Sequence, residues 1–219
     1  MGKIYQILSC WPLLWMALSH RETAGPTRSP VVKKNGATNF AGDGFLAGLP
    51  DYLEYNLKVL FVGYNPGERS ALLGNHYAGR GNQFWRLLYE AGLTDRLYLP
   101  AEDHLLPSLG YGLTNLAVRP SKSSSDLSGT EKKEGAAQLR KKVARYRPGV
   151  VCLLGKEVYR WYAGKRAGEP VQYGPSPAAG ICAEVMAFVA PNPSGRSTIP
   201  YSQKLRFFRL LKEMLPDSP

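Results

Sequence analysis

Histidine and cysteine are scarce in this chain, with three of each in 219 residues. His20, His76 and His104 stand far apart without HExxH spacing, and Cys10, Cys152 and Cys182 form no CxxC pair. Those spacings exclude the usual zinc sites and a disulfide framework, and they point to a reducing compartment. No metal or other cofactor is expected. Acidic residues are the minority charge, 17 Asp and Glu against 28 Lys and Arg. No cluster of carboxylates is set up to hold Mg²⁺, which sets aside a metal-dependent nuclease. The chain also lacks an apolar run long enough to cross a bilayer. Residues 4–18, after Lys3, come nearest, but Gln6, Ser9 and Pro12 interrupt them and no clean small-x-small cleavage site follows. They are read as part of an extension, not as a leader, and no membrane partner is expected.

The composition that remains is that of a globular protein: 44% hydrophobic and 21% charged residues. Its length suits one sizeable core and no second full domain. A formal charge of +11 and a pI near 9.6 suit a polyanionic partner, of which nucleic acid is the commonest. Residues 1–45, rich in Gly, Pro, Thr and Lys toward their end, read as a flexible or loosely docked N-terminal extension. Residues 46–219 read as one domain, with structure beginning near Leu49 to Leu53.

Within that domain, apolar β-branched runs alternate with helical spacings. Strands are expected at residues 57–62, 111–118, 150–154 and 184–190. Cys152 sits inside the third and reads as a buried, inert thiol. Helices are expected from a cap at Asn82 to Gly92, over residues 131–146, from Gly155 through Trp161, and over residues 201–215. The pattern predicts a three-layer α/β/α sandwich with a short, mainly parallel central sheet. Binding loops in such sheets gather at the carboxyl ends of the strands. Two Gly-, Asn- and Pro-rich segments, residues 63–81 and 191–198, follow predicted strands and should face each other across one cleft.

Each loop is ordinary turn chemistry when read alone. Together they are more specific. Gly63-Tyr64-Asn65-Pro66-Gly67 is followed by Asn75-His76-Tyr77-Ala78-Gly79-Arg80-Gly81-Asn82-Gln83-Phe84-Trp85, and Asn192-Pro193-Ser194-Gly195 comes near the end. In this order, over about residues 49–215, the motifs resemble the mismatch-specific uracil/thymine DNA glycosylases of the uracil-DNA glycosylase superfamily. Asn115 within Leu113-Thr114-Asn115-Leu116, and Ser121 after Arg119-Pro120, match family segments as well.

The resemblance implies a monofunctional enzyme that flips uracil or thymine, and by extension modified cytosines, out of G-mispaired duplex DNA. It would hydrolyse the N-glycosidic bond without a cofactor, leave an abasic site and act as a monomer. Asn65 would hold the attacking water by its carbonyl oxygen, since an amide cannot serve as a general base, and Ser121 would stand near the same water. Gly63, Tyr64, His76, Tyr77, Asn82 and Asn115 would surround the base, with Tyr77 stacked on its ring and Asn115 at its Watson–Crick edge. Asn192, Pro193, Ser194, Gly195, Arg196 and Ser197 would enter the minor groove, with Arg196 as the wedge and Lys204 meeting phosphate. Arg196 stands where bacterial members carry leucine, which is closer to eukaryotic thymine-processing members and implies a nuclear protein, or a cytoplasmic one in a bacterium. Tyr64 departs from the family's usual isoleucine or valine. A non-catalytic binder of mismatched or abasic DNA, and a glycosylase preferring single strands, are the alternatives.

Overall fold

The computed structural model describes residues 46–176 and 185–216. The expected N-terminal extension and Glu184 lie outside the described residues. The five strands are β1 (Val59–Gly63), β2 (Tyr111–Asn115), β3 (Val150–Leu154), β4 (Gly174–Ser176) and β5 (Met186–Ala190). The helices are α1 (Glu68–Leu73), α2 (Phe84–Glu90), α3 (Gly129–Tyr146), α4 (Lys156–Ala163) and α5 (Tyr201–Glu213), with a 3-10 stretch at Pro100–Leu109. The sheet runs in the order β2-β1-β3-β5-β4. All neighbours are parallel except β4, which pairs antiparallel with β5 at the edge. This is the expected mainly parallel α/β fold.

Alternation along the strands divides the core into two layers. Leu60, Val62, Val151, Leu153, Ala187 and Val189 pack with Ala136, Leu139 and Val143 of α3 and with Val158, Tyr159 and Tyr162 of α4. Phe61, between Leu60 and Val62, points the other way, edge-on to Phe84 of α2 and stacked parallel to Phe208 of α5 at 6.4 Å. All five residues of β1 and of β3 are buried, as central parallel strands covered on both faces must be. Cys152 is fully buried, and burial pushes its thiol well above the ordinary range.

Several boundaries differ from the sequence reading for identifiable reasons. Residues 68–73 are helical, closed by Gly74 at φ 67, and not loop. Helix α3 starts before residue 131: Ser128 caps it, its Oγ accepting from Glu131 N–H at 3.1 Å while Glu131 accepts from Ser128 N–H at 2.8 Å. Strand β2 ends at Asn115 and not at residue 118. The short edge strand β4 was missed because Gly-Pro-Ser composition reads as a turn.

Candidate active-site cleft

Chain order reverses between β1 and β3. From β1 the chain crosses to β2 on one side, and β3 returns on the other. The carboxyl ends diverge there, and such a switch point is where an open α/β sheet binds its ligand. A cleft of about 920 Å³ occupies it, lined by residues following β1, β2, β3 and β5, including Gly63 to Ser70, Asn115, Leu154 to Val158 and Asn192 to Ser197.

Asn65 lies two residues past the end of β1, and its side chain is held on one side only. Its Nδ2 donates to Ser121 Oγ at 2.9 Å, to Pro66 O at 3.1 Å and to Arg119 O at 3.3 Å. Two of those partners are carbonyls, which only accept, so the amide nitrogen must face them. Ser121 Oγ–H donates onward to Ser123 O at 2.6 Å. Asn65 Oδ1 is thereby turned away from its three partners, with no hydrogen bond from the described residues. Behind Ser121, the lip of the cleft is braced by Arg119, which bonds Glu131 at 2.5 and 3.2 Å and Asp126 O at 2.7 Å. The Arg119 guanidinium and the Ser128 amide hold the Glu131 carboxyl down to about 2.

The deep end of the cleft forms around Gly63. In register with Asn115 of β2, Gly63 leaves open the space where a Cβ would collide with Asn115 Oδ1 and come 3.2 Å from Tyr77 Oη. Glycine is required there for close approach and not for an unusual φ. Tyr77 does take a left-handed φ of 53, a strained conformation for a bulky residue. One ring face stacks on Phe84 at 3.9 Å, and its Oη is buried without a partner among the described residues. Burial pushes the phenol well above its ordinary pKa, so it remains a neutral donor. Leaving such a buried hydroxyl unsatisfied costs about 1–3 kcal/mol.

The segment carrying Tyr77 is fixed through His76, which is 1% exposed. Asp103 accepts from His76 N–H at 2.8 Å and from Tyr52 Oη–H at 3.0 Å, and Trp85 Nε1 donates to His76 O. Nε2 of His76 donates to Pro50 O at 2.8 Å. His76 therefore lines the cleft as an anchored wall. Asn82 also does structural work: the N-cap of α2 is Gln83 and not Asn82 as expected, but Asn82 Oδ1, one residue ahead of it, accepts from Phe84 N–H at 3.0 Å. Tyr64 lies partly buried against the core, its phenol pushed up by burial and by Glu157 and drawn back by the Trp161 indole.

The 191–197 loop is a chain of short turns. Asn192 Oδ1 accepts from Ser194 N–H at 2.9 Å, Ser194 Oγ from Arg196 N–H at 3.2 Å, and Ser194 O from Ser197 N–H at 3.0 Å. It is fastened to the Tyr77 segment, where Gln83 N–H donates to Pro193 O at 2.9 Å. A Cβ on Gly195 would meet Gly81 O at 2.8 Å, so the two backbones lie in contact. Arg196 is exposed and reaches across the mouth to Lys122 O at 2.6 Å. Lys204 corrects the sequence reading. It is 1% exposed and its Nζ donates to Gln83 Oε1 at 2.9 Å and Ser194 O at 3.2 Å, so it ties two loops together and does not reach phosphate.

Other cleft residues escaped sequence reasoning. Arg69, Arg80, Lys122 and Lys156 join Arg196 around it, with Glu68 and Glu157 as the acidic residues. Lys156 Nζ lies 4.6 Å from the Tyr173 ring centroid. Only the overall basic charge signalled them, without saying which of the cations gather here. Among the described residues no three His, Cys, Asp or Glu side chains gather to hold a metal ion.

A family model for the uracil DNA glycosylase superfamily matches residues 50–215, a span that contains every one of these loops. The chain belongs to the uracil DNA glycosylase superfamily. A relative from the fission yeast Schizosaccharomyces pombe, the "G/U mismatch-specific uracil DNA glycosylase", is 37% identical over 183 residues, 80% of this chain and 54% of the relative. The chain thus spans about half the length of that curated relative. A solution NMR structure from Methanosarcina acetivorans, of a candidate uracil DNA glycosylase, aligns at TM-score 0.49 and 20% identity over 76% of this chain and 98% of the other. Within the superfamily's span, the motifs read from sequence converge on one cleft: Asn65 with Ser121, and Gly63 with Tyr77 and Asn115.

Proposed function

We propose that this chain is a DNA glycosylase that removes uracil from G·U mispairs in duplex DNA by hydrolysing the N-glycosidic bond. The observation that carries this reading is the one-sided clamp on Asn65. Its Nδ2 is consumed by Ser121, Pro66 and Arg119, leaving Oδ1 as a fixed acceptor in the cleft. A water donating to that oxygen is held with its lone pairs free to attack. The name of the fission yeast relative supports the substrate.

The chemistry follows from what an amide can and cannot do. The C1′–N1 bond breaks with its electron pair leaving on the pyrimidine, and the sugar becomes an oxocarbenium-like cation. The water adds to C1′ and its proton is delivered to the departing pyrimidine or to solvent, giving free base and an abasic site. Asn65 takes no proton, so its contribution is positioning. Departure of the base therefore limits the rate, and in this reading the Asn115 amide bonds the base while the Tyr77 ring, which lines the same cleft, stacks on it. Uracil and pyrimidines with electron-withdrawing 5-substituents leave more readily than thymine, so G·T is a slower substrate and oxidised cytosines are further ones.

Reaching the cleft requires the base to leave the duplex, which costs a few kcal/mol and least for a mispair. The exposed Arg196 is the long side chain able to fill the vacated stack, once it releases Lys122 O. The protein acts as a monomer and, in a eukaryote, in the nucleus. Single-turnover assays on G·U, G·T, oxidised-cytosine and single-stranded oligonucleotides, with alkali cleavage of abasic sites, test this reading. Base release from G·U that exceeds release from G·T is the expected result. Binding without any release would replace it by a non-catalytic mismatch binder, and faster release from single strands by a single-strand glycosylase.

A further inference from the structure

We propose that Lys204 is a positioning residue for DNA, its buried ammonium orienting and polarising the Ser194–Gly195 peptide so that Gly195 N–H becomes the loop's phosphate donor. This rests on reading the 192–197 loop as the element that grips DNA. Lys204 is 1% exposed and forms no ion pair among the described residues. It also stands in the first turn of α5, where the helix dipole favours anions over cations. Burial pulls the ammonium below the ordinary lysine range. Each of these features disfavours a lysine here, and its hydrogen bonds go only to neutral oxygens, Gln83 Oε1 and Ser194 O.

The second of those bonds gives the position its use. Across a trans peptide the carbonyl oxygen and the following N–H point in opposite directions. With Ser194 O drawn inward onto the ammonium, Gly195 N–H is directed outward from an exposed residue. Its neighbours' amides are occupied: Ser194 N–H by Asn192 Oδ1, Arg196 N–H by Ser194 Oγ, and Ser197 N–H by Ser194 O. Gly195 N–H has no partner among the described residues. A cation on the carbonyl oxygen draws electron density through the amide and strengthens that N–H as a donor to an anion. The Gln83 bond fixes the ammonium from the other side and joins this loop to the start of α2.

The test is equilibrium binding of the full chain to a duplex with a tetrahydrofuran abasic analogue opposite G, over a salt series. Lys204→Met, close in volume, is expected to weaken binding about tenfold while the slope of log Kd against log salt stays within about 0.3 of wild type. A lysine in direct phosphate contact would lower that slope by about one. Lys204→Arg is expected to recover affinity to within about threefold of wild type, and the single-turnover rate at saturating G·U duplex should change less than Kd. Lys204→Gln serves with the same readouts if the methionine variant does not fold. A slope reduced by about one, or affinity within twofold of wild type in both neutral variants, overturns the proposal. Because binding needs no cleavage, a wild-type chain that binds without excising overturns only the functional reading. One that does not bind this duplex overturns both.

Discussion

Substituting Gly63 by Ala places a methyl group where the structure has no room for it. The new Cβ would fall well inside any normal contact with Asn115 Oδ1 and 3.2 Å from Tyr77 Oη. Both strands are fixed at that point by the β1–β2 register, and Leu116 N–H donates to Gly63 O at 2.9 Å, so the backbone cannot swing away. The carboxamide of Asn115 must retreat, by about 1 Å, to restore ordinary contact. A displacement of that size in a group that orients a substrate costs on the order of hundred-fold in rate, about 2.7 kcal/mol. The sheet itself should tolerate the change, because alanine fits strand geometry. Single-turnover uracil release from a G·U duplex is the assay, with binding to abasic duplex as the control, since the 192–197 loop is untouched. A Gly63→Ala protein that released uracil within threefold of wild type would refute the claim that Asn115 and Tyr77 meet the base at this position.

Three other outcomes follow from the same geometry. Arg196→Ala should slow excision from A·U duplex more than from G·U, and spare single strands, where no stack must be filled; equal losses on all three would make Arg196 a general phosphate contact. Ser121→Ala removes one of three acceptors from Asn65 Nδ2, so single-turnover release should fall about tenfold, near 1.4 kcal/mol; a loss as large as that from deleting the Asn65 side chain would put Ser121 in direct contact with the water. The single-turnover rate should be flat between about pH 6 and pH 9: Asn65, Asn115 and Ser121 do not titrate there, and burial raises the Tyr77 phenol, so its proton stays on as pH rises through the ordinary tyrosine value. A limb with a midpoint inside that window would reveal a general acid or base that this account lacks.

The fold was legible because its signals were local and redundant. Three buried strands announced themselves as apolar β-branched runs, and α5 and α3 as 3.6-residue periodicities with basic outer faces. The pairs Asn65–Ser121 and Gly63–Asn115 were legible only through motif order, because 56 and 52 residues of chain separate partners that strand pairing brings together. Lys204 was misread because a lysine on a helix of alternating cations looks solvated, and nothing local says that its tip finds Gln83, 121 residues away. Asp103 was invisible for the same reason: a carboxylate in a polar stretch gives no hint that it is fully buried under His76 and Tyr52.

In the proposed mechanism the carbonyl oxygen of Asn65 holds the attacking water. Deleting that side chain by Asn65→Ala and measuring single-turnover uracil release from a G·U duplex, alongside affinity for the same duplex, tests it most directly. The predicted result is a loss on the order of hundred-fold or more in release, with duplex affinity kept within about threefold. Release at a near wild-type rate by the Ala variant would contradict the account, whatever its affinity.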